Sequence, residues 1–192
     1  MYKRQYIDHP SFGPAVIGRS IEAAGYRIAI VPQPDWHGDF RDFKKLGKPR
    51  LFFAVSPGNM DSMVNKYTAN KRLRSEDAYS PDGRHDCRPD YPSIVYTQIL
   101  KKLFPDVPVV IGGIEASLRR LTHFDYWQNK LRKSILCDSG ADMLLYGVGA
   151  KSILALAEAI EQGRNIKKIT EIPQTVYLSS KDNIQGLSLI HI

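Results

Sequence analysis

Short apolar runs of strand length alternate with helix-patterned segments along this chain. That alternation limits the fold more than any other feature. Residues 27–31, 51–55, 107–111 and 143–146 read as buried strands. Between them, residues 14–24, 39–46, 61–67, 93–104, 115–121, 125–136 and 150–162 read as helices. Gly25 and Gly163 stand where a helix C-terminus calls for left-handed backbone. Four such alternations predict a doubly wound α/β domain, a mostly parallel sheet with helices on both faces. Residues 6–8 read as the tail of a first strand whose body is missing, and 176–178 as a further strand outside the alternation.

The composition, 43% hydrophobic and 24% charged, excludes a disordered chain. No apolar run approaches the roughly 20 residues of a membrane span. No signal peptide opens the chain. The two cysteines, Cys87 and Cys137, are 50 positions apart and form no CxxC pair. Few cysteines and no signal predict a reducing, cytoplasmic setting. The ends read as foreign. Residues 2–5 and 187–190 can be encoded by DNA strings that are reverse complements, as translated sequencing-adapter ends would be. Residues 1–5 and 187–192 are therefore expected to be non-native, with the domain over 6–180. Without Lys3 and Arg4, the net charge of +7 becomes +5.

In open α/β sheets ligands bind at the carboxyl ends of strands, and the conspicuous polar residues fall there. Asp8, His9, Ser11 and Gly13 follow the first strand, and Gln33, Asp35 and Trp36 the second. Ser56, Gly58, Asn59 and Asp61 follow the third, and Gly112, Gly113, Glu115 and Ser117 the fourth. Backbone N–H groups at such turns can hold an anion or a dipolar ligand. The same residue types also serve as turns and caps. No GxGxxG, GxxxxGK[ST] or GxSxG pattern is present, so nucleotide and serine-nucleophile chemistry lack support. His85 and Cys87 could form one edge of a metal site, but no second pair accompanies them. His123, Asp125 and Tyr126 could form a hydrogen-bonded cluster. The polar stretch 71–92 is long for a structureless loop.

Cations gather in two places. Lys66, Lys71, Arg72 and Arg74 flank Tyr67, and Arg119 and Arg120 precede Lys130, Arg132 and Lys133. One reading is an RNA- or DNA-binding surface that neutralises phosphates. The other is a solvated surface, or a contact to a second domain, paired with Glu76, Asp77, Asp86 and Asp90.

Residues 6–13 (YIDHPSFG), 33–36 (QPDW), 58–63 (GNMDSM) and 66–69 (KYTA) resemble the N-terminal region of YgiQ-type radical SAM proteins. So do 111–120 (IGGIEASLRR), 125–127 (DYW) and 142–147 (DMLLYG), in the same order. The resemblance implies a bacterial enzyme with a radical SAM core beyond this region. There a CxxxCxxC motif would hold a [4Fe-4S] cluster that cleaves S-adenosylmethionine. This chain lacks that motif, so no catalytic residue or metal ligand is expected on it, and it is expected to be inert alone. More distantly, the domain resembles cobalamin-binding-like α/β domains. Asp8 and His9 are adjacent and depart from the Asp-x-His-x-x-Gly signature of cobalt ligation.

The reading that follows is an accessory domain docked on its own radical SAM core, shaping the substrate channel. The alternatives are a basic RNA/DNA-binding module and a free-standing small-molecule (cobalamin-like) binding domain. Loss of the first strand would expose its neighbours, so the isolated chain is expected to melt without cooperativity.

Overall fold

The computed structural model describes residues 13–58 and 60–179. The first-strand tail at 6–8, together with Asp8, His9, Ser11 and Asn59, lies outside the described residues. Two strands buried along their whole length form the centre: β2 (Val109–Ile111) and β5 (Met143–Leu145). β2 pairs in parallel with β1 (Phe53–Val55) on one side and with β5 on the other. The short β6 (Thr175–Val176) then pairs antiparallel with β5, giving the order β1-β2-β5-β6. The sheet is thus mixed, with two of its three pairings parallel, in keeping with the mostly parallel sheet expected.

Strand alternation sends side chains to two cores. Val109, Ile111 and Leu144 face α4 (Pro92–Leu103), α6 (Ile135–Ser139) and the short α2 (Arg41–Lys44). Tyr96, Leu100, Leu136 and Phe43 pack against them there. Val110, Met143 and Leu145 face α1 (Gly13–Ala23) and α7 (Ala150–Glu161), meeting Ile21, Ile153 and Leu156. The two layers account for the continuous apolar character of β2 and β5, because neither strand has a wet face. Asp142 fixes the register at the start of β2: its carboxylate accepts from Val109 N at 2.7 Å and from Lys101 Nζ.

Two predicted elements are corrected. Residues 27–31 form no strand. Ile28 and Ile30 are partly exposed and lie along α1, with Cδ1 atoms 3.6 and 3.4 Å from where a Cβ on Gly18 would stand. A strand needs a ladder partner for its N–H and C=O groups, and none pairs with this segment among the described residues. Residues 125–136 are not one helix. They form an antiparallel hairpin, β3 (His123–Asp125) with β4 (Lys130–Arg132), followed by α6. Gln128 N donates to Asp125 Oδ1 at 2.9 Å, and Asn129 takes a positive φ of 52°. That side-chain-closed turn competes with helix, and the period-two pattern of 123–125 and 130–132 is a strand pattern.

The polar stretch 71–92 is ordered around a buried carboxylate rather than left loose. Asp77 accepts from Asn65 Nδ2 at 2.8 Å, Ser80 Oγ at 2.6 Å, Tyr79 N at 3.0 Å and Arg88 at 3.1 Å. Gln33 Nε2 donates to Tyr79 O, and Trp36 Nε1 to Asp86 O at 3.3 Å, so the 33–36 turn clasps the same loop.

The remaining helices start at the strand ends. α3 (Ser62–Lys66) follows β1, and α5 (Gly113–Leu118) follows β2. Of the glycine pair opening α5, only Gly113 needs its freedom. Its φ is +82°, and a Cβ there would sit 2.8 Å from Ser56 Oγ and 3.1 Å from Pro57 Cδ. Gly112 is extended, and its Cβ would meet only Leu145 O at 3.4 Å. Gly113→Ala is therefore expected to cost about 2 kcal/mol or more and Gly112→Ala well under half of that. The difference in urea unfolding midpoint between the two variants checks this.

Candidate functional site

The described carboxyl ends of β1 and β2 converge on one buried carboxylate. Glu115, in the first turn of α5, is fully buried. Its Oε2 accepts from Ser62 N at 3.1 Å and from Ser62 Oγ, and its Oε1 from Ser93 N at 3.2 Å. Ser62 opens α3, and Ser93 stands in the first turn of α4. These are free N–H groups at helix starts, where negative charge is favoured. α4 needs the outside cap: Tyr91 before it is left-handed and offers no side-chain cap. Asp61 caps α3 itself, accepting from Met63 N at 3.0 Å and Val64 N at 3.2 Å. The same carboxylate is bound by Arg119 at the end of α5, with one contact at 3.1 Å.

Arg119 leads into a second polar group. Its guanidinium and that of Arg132 lie 5.4 and 5.6 Å from the Tyr91 ring centre. Tyr91 OH donates to Asp125 Oδ2 at 2.6 Å, and Arg132 pairs with Asp138 at 2.7 Å. With Ile94, Ile135 and His123, these side chains line a narrow crevice. Burial, then the bond to Asp125, push the Tyr91 hydroxyl well above its ordinary value. Burial pushes the Asp125 carboxyl up, but the Tyr91 bond, Gln128 N–H and the two arginines outweigh it and hold it below the ordinary range. Asp77 behaves alike: burial raises it, while Ser80, Arg88 and Asn65 together lower it. Burial lowers Arg119 from the usual arginine value.

The expected rim residues thus have different surroundings. Asp61 and Glu115 meet at α3. Gly113 packs on Ser56 and Pro57, and Ser117 accepts from Arg120 Nη1 through its carbonyl at 2.6 Å. The basic candidates divide. Arg119 is half-buried in an ion pair with Asp61, and Arg120 lies over the Tyr146 ring at 5.1 Å. Lys71, Arg72 and Arg74 are exposed. His123, Asp125 and Tyr126 do not bond one another: His123 Nδ1 contacts Leu121 O at 3.0 Å, and Tyr126 OH donates to Ala69 O at 2.6 Å. Sequence reasoning missed Tyr91 and Arg88, and placed Arg132 only in a basic group. Arg88 and Arg132 looked like members of charged surface stretches; the fold buries Arg88 and half-buries Arg132.

Chemically the arrangement is a set of satisfied charge pairs. Among the described residues, no serine hydroxyl or cysteine thiol is hydrogen-bonded to a histidine ring, His85 Nε2 meeting only the Ser75 carbonyl at 3.1 Å, and no three His, Cys, Asp or Glu side chains could hold a metal. A [4Fe-4S] cluster open to S-adenosylmethionine takes three thiolates. Cys87 and Cys137 do not supply them. Beside Gly113 the space is taken by Ser56 and Pro57.

Fold and site together define an α/β domain whose described strand-end rim is tied together by charge pairs and shared carboxylates. The Radical SAM N-terminal family model matches residues 3–191, and the chain belongs to that family. A UPF0313 protein of Bacteroides thetaiotaomicron is 65% identical, over 90% of this chain and 30% of its own length. UPF0313 proteins of Porphyromonas gingivalis (65% identical) and Clostridium perfringens (55%) cover 92% and 97% of this chain. Each aligns over only 28% of its own length, so the chain spans less than a third of these relatives. No solved structure matches it. No helix among the described residues is long and apolar enough to cross a membrane.

Two outcomes follow for the chain in solution. Glu115→Ala leaves two helix starts without an acceptor and is expected to cost about 3 kcal/mol or more, against almost nothing for Ser117→Ala in the same urea titration. The lowered carboxyls of Asp77 and Asp125 stabilise the fold fully above the unfolded aspartate value of about 3.9. That contribution is lost as pH falls through their lower folded values. Unfolding free energy measured from pH 6 to pH 2 should fall less steeply in Asp77→Asn than in the parent.

Proposed function

We propose that this domain docks on the radical SAM core of the longer protein and forms one wall of its substrate channel. The core, not this domain, would hold the [4Fe-4S] cluster and cleave S-adenosylmethionine, in the reducing cytoplasm where thiolate ligands persist. The likeness to cobalamin-binding-like domains then extends to the layering alone.

The observation that carries the reading is the hairpin β3-β4, which is inside out. Its polar face is turned inward, with Asp125 buried on Tyr91 and Arg132 on Asp138. Its apolar face is turned outward: the cross-strand partners Phe124 and Leu131 are 58% and 74% exposed. Leu118 and Leu121, just before it in sequence, are exposed too. A hairpin of a self-contained domain turns its apolar face to the core. A cluster of exposed large apolar side chains marks a contact surface. The occupant is the remainder of the same polypeptide, because relatives in this family carry more than two thirds of their length outside the matched region.

The test uses the full-length protein that carries this domain. Amide exchange of 123–132 should be slow there. In the Phe124→Asp/Leu131→Asp double variant it should rise at least ten-fold, with β2 still protected. S-adenosylmethionine cleavage should fall with it. Equal exchange of the hairpin in both proteins, with β2 intact, would sink the docking reading.

A further inference from the structure

We infer that the tip of the hairpin, together with the loop 67–74, forms a binding surface for single-stranded nucleic acid. It is a different surface from the outward strand face of Phe124 and Leu131. The two loops are built against each other. Residues 67–73 close on themselves through the Tyr67–Leu73 bridge and the bonds Thr68 N to Arg72 O (2.8 Å) and Lys71 N to Thr68 O (2.9 Å). The hairpin tip then seats on this loop. Tyr126 OH donates to Ala69 O at 2.6 Å, Lys71 Nζ to Trp127 O at 3.4 Å, and the Tyr67 and Trp127 rings lie 5.6 Å apart.

The result is a row of three aromatic rings, Tyr67, Trp127 and Tyr126, bordered by cations. Lys71 Nζ stands 4.7 Å from the Tyr126 ring centre. Residues 62–75 and 126–134 hold seven lysines and arginines and no aspartate or glutamate. Lys71, Arg72, Lys130 and Lys133 are exposed and form no ion pair among the described residues. This differs from the core-facing seam, where each guanidinium has its carboxylate.

Unpaired cations alone would suit any anion. Aromatic planes at their side select unstacked bases, because base–aromatic stacking needs a free base face. A duplex hides those faces, and an acidic protein segment has none. Both loops are held by backbone bonds, so little ordering entropy opposes binding.

The experiment uses the full-length protein and three fluorescent probes: a U20 RNA, a dT20 DNA and a 20-base-pair duplex. Anisotropy titrations at several salt concentrations should show single strands bound more tightly than the duplex. A preference between U20 and dT20 would identify which nucleic acid is used. Lys71→Ala/Arg72→Ala should flatten the salt dependence by about 1.4 in log–log slope, two phosphate contacts at about 0.7 each. Trp127→Ala should weaken binding about ten-fold, and Trp127→Phe should restore most of it, which separates stacking from a folding defect. Phe124→Asp/Leu131→Asp should leave the affinity within two-fold, so failure of docking and failure of binding are told apart. No single-strand binding at 20 mM salt, equal affinity for the duplex, or complete competition by poly-glutamate would overturn the inference.

Discussion

One carboxylate holds the strand ends of this domain together. Glu115 is the acceptor shared by the first turns of α3 and α4, and it rides on α5. Three helices that leave different parts of the chain are therefore joined at a buried point. Charge-assisted hydrogen bonds to helix N-termini are among the stronger polar interactions available. Their satisfaction is what makes a buried carboxylate tolerable. Asp61 and Arg119 extend the same seam, and Tyr91, Arg132, Asp125 and Asp138 continue it under the hairpin.

That seam explains why the hairpin is inverted. Asp125 and Arg132 have partners only on the domain side, so the β3-β4 ribbon turns its polar face inward. Alternation then places Phe124 and Leu131 outside. In a two-stranded ribbon every position facing in commits its neighbours to facing out. The exposed apolar face is thus the counterpart of a charge network required beneath it.

The parts of the fold that the chain states plainly are those set by local pattern. α4, α7 and the strands β1, β2 and β5 stand close to where apolar periodicity puts them, because each contributes apolar side chains that the two cores cover. Residues 27–31 carried an equally apolar pattern and formed no strand, since pairing is a property of neighbours and not of the segment. Residues 125–136 read as helix because their cations suit an exposed helical face. The turn at 126–129, closed by Asp125, decided otherwise. Glu115 and Asp61 were readable as strand-end polar residues, but their role as caps for α3 and α4 was not.

The amino-acid order alone determined an α/β layering, the absence of a cluster-binding cysteine triad and the resemblance in ordered motifs to one family of N-terminal domains. These rest on side-chain type and spacing, which need no folding to be read. Only the tertiary structure separated one arginine from another. Arg119 and Arg132 are half-buried in pairs, whereas Lys71 and Arg72 are exposed, Lys71 beside the Tyr126 ring. Charge is written in the chain, but whether it is spent on the fold or presented to a partner depends on which residues the fold brings within a few ångströms of it.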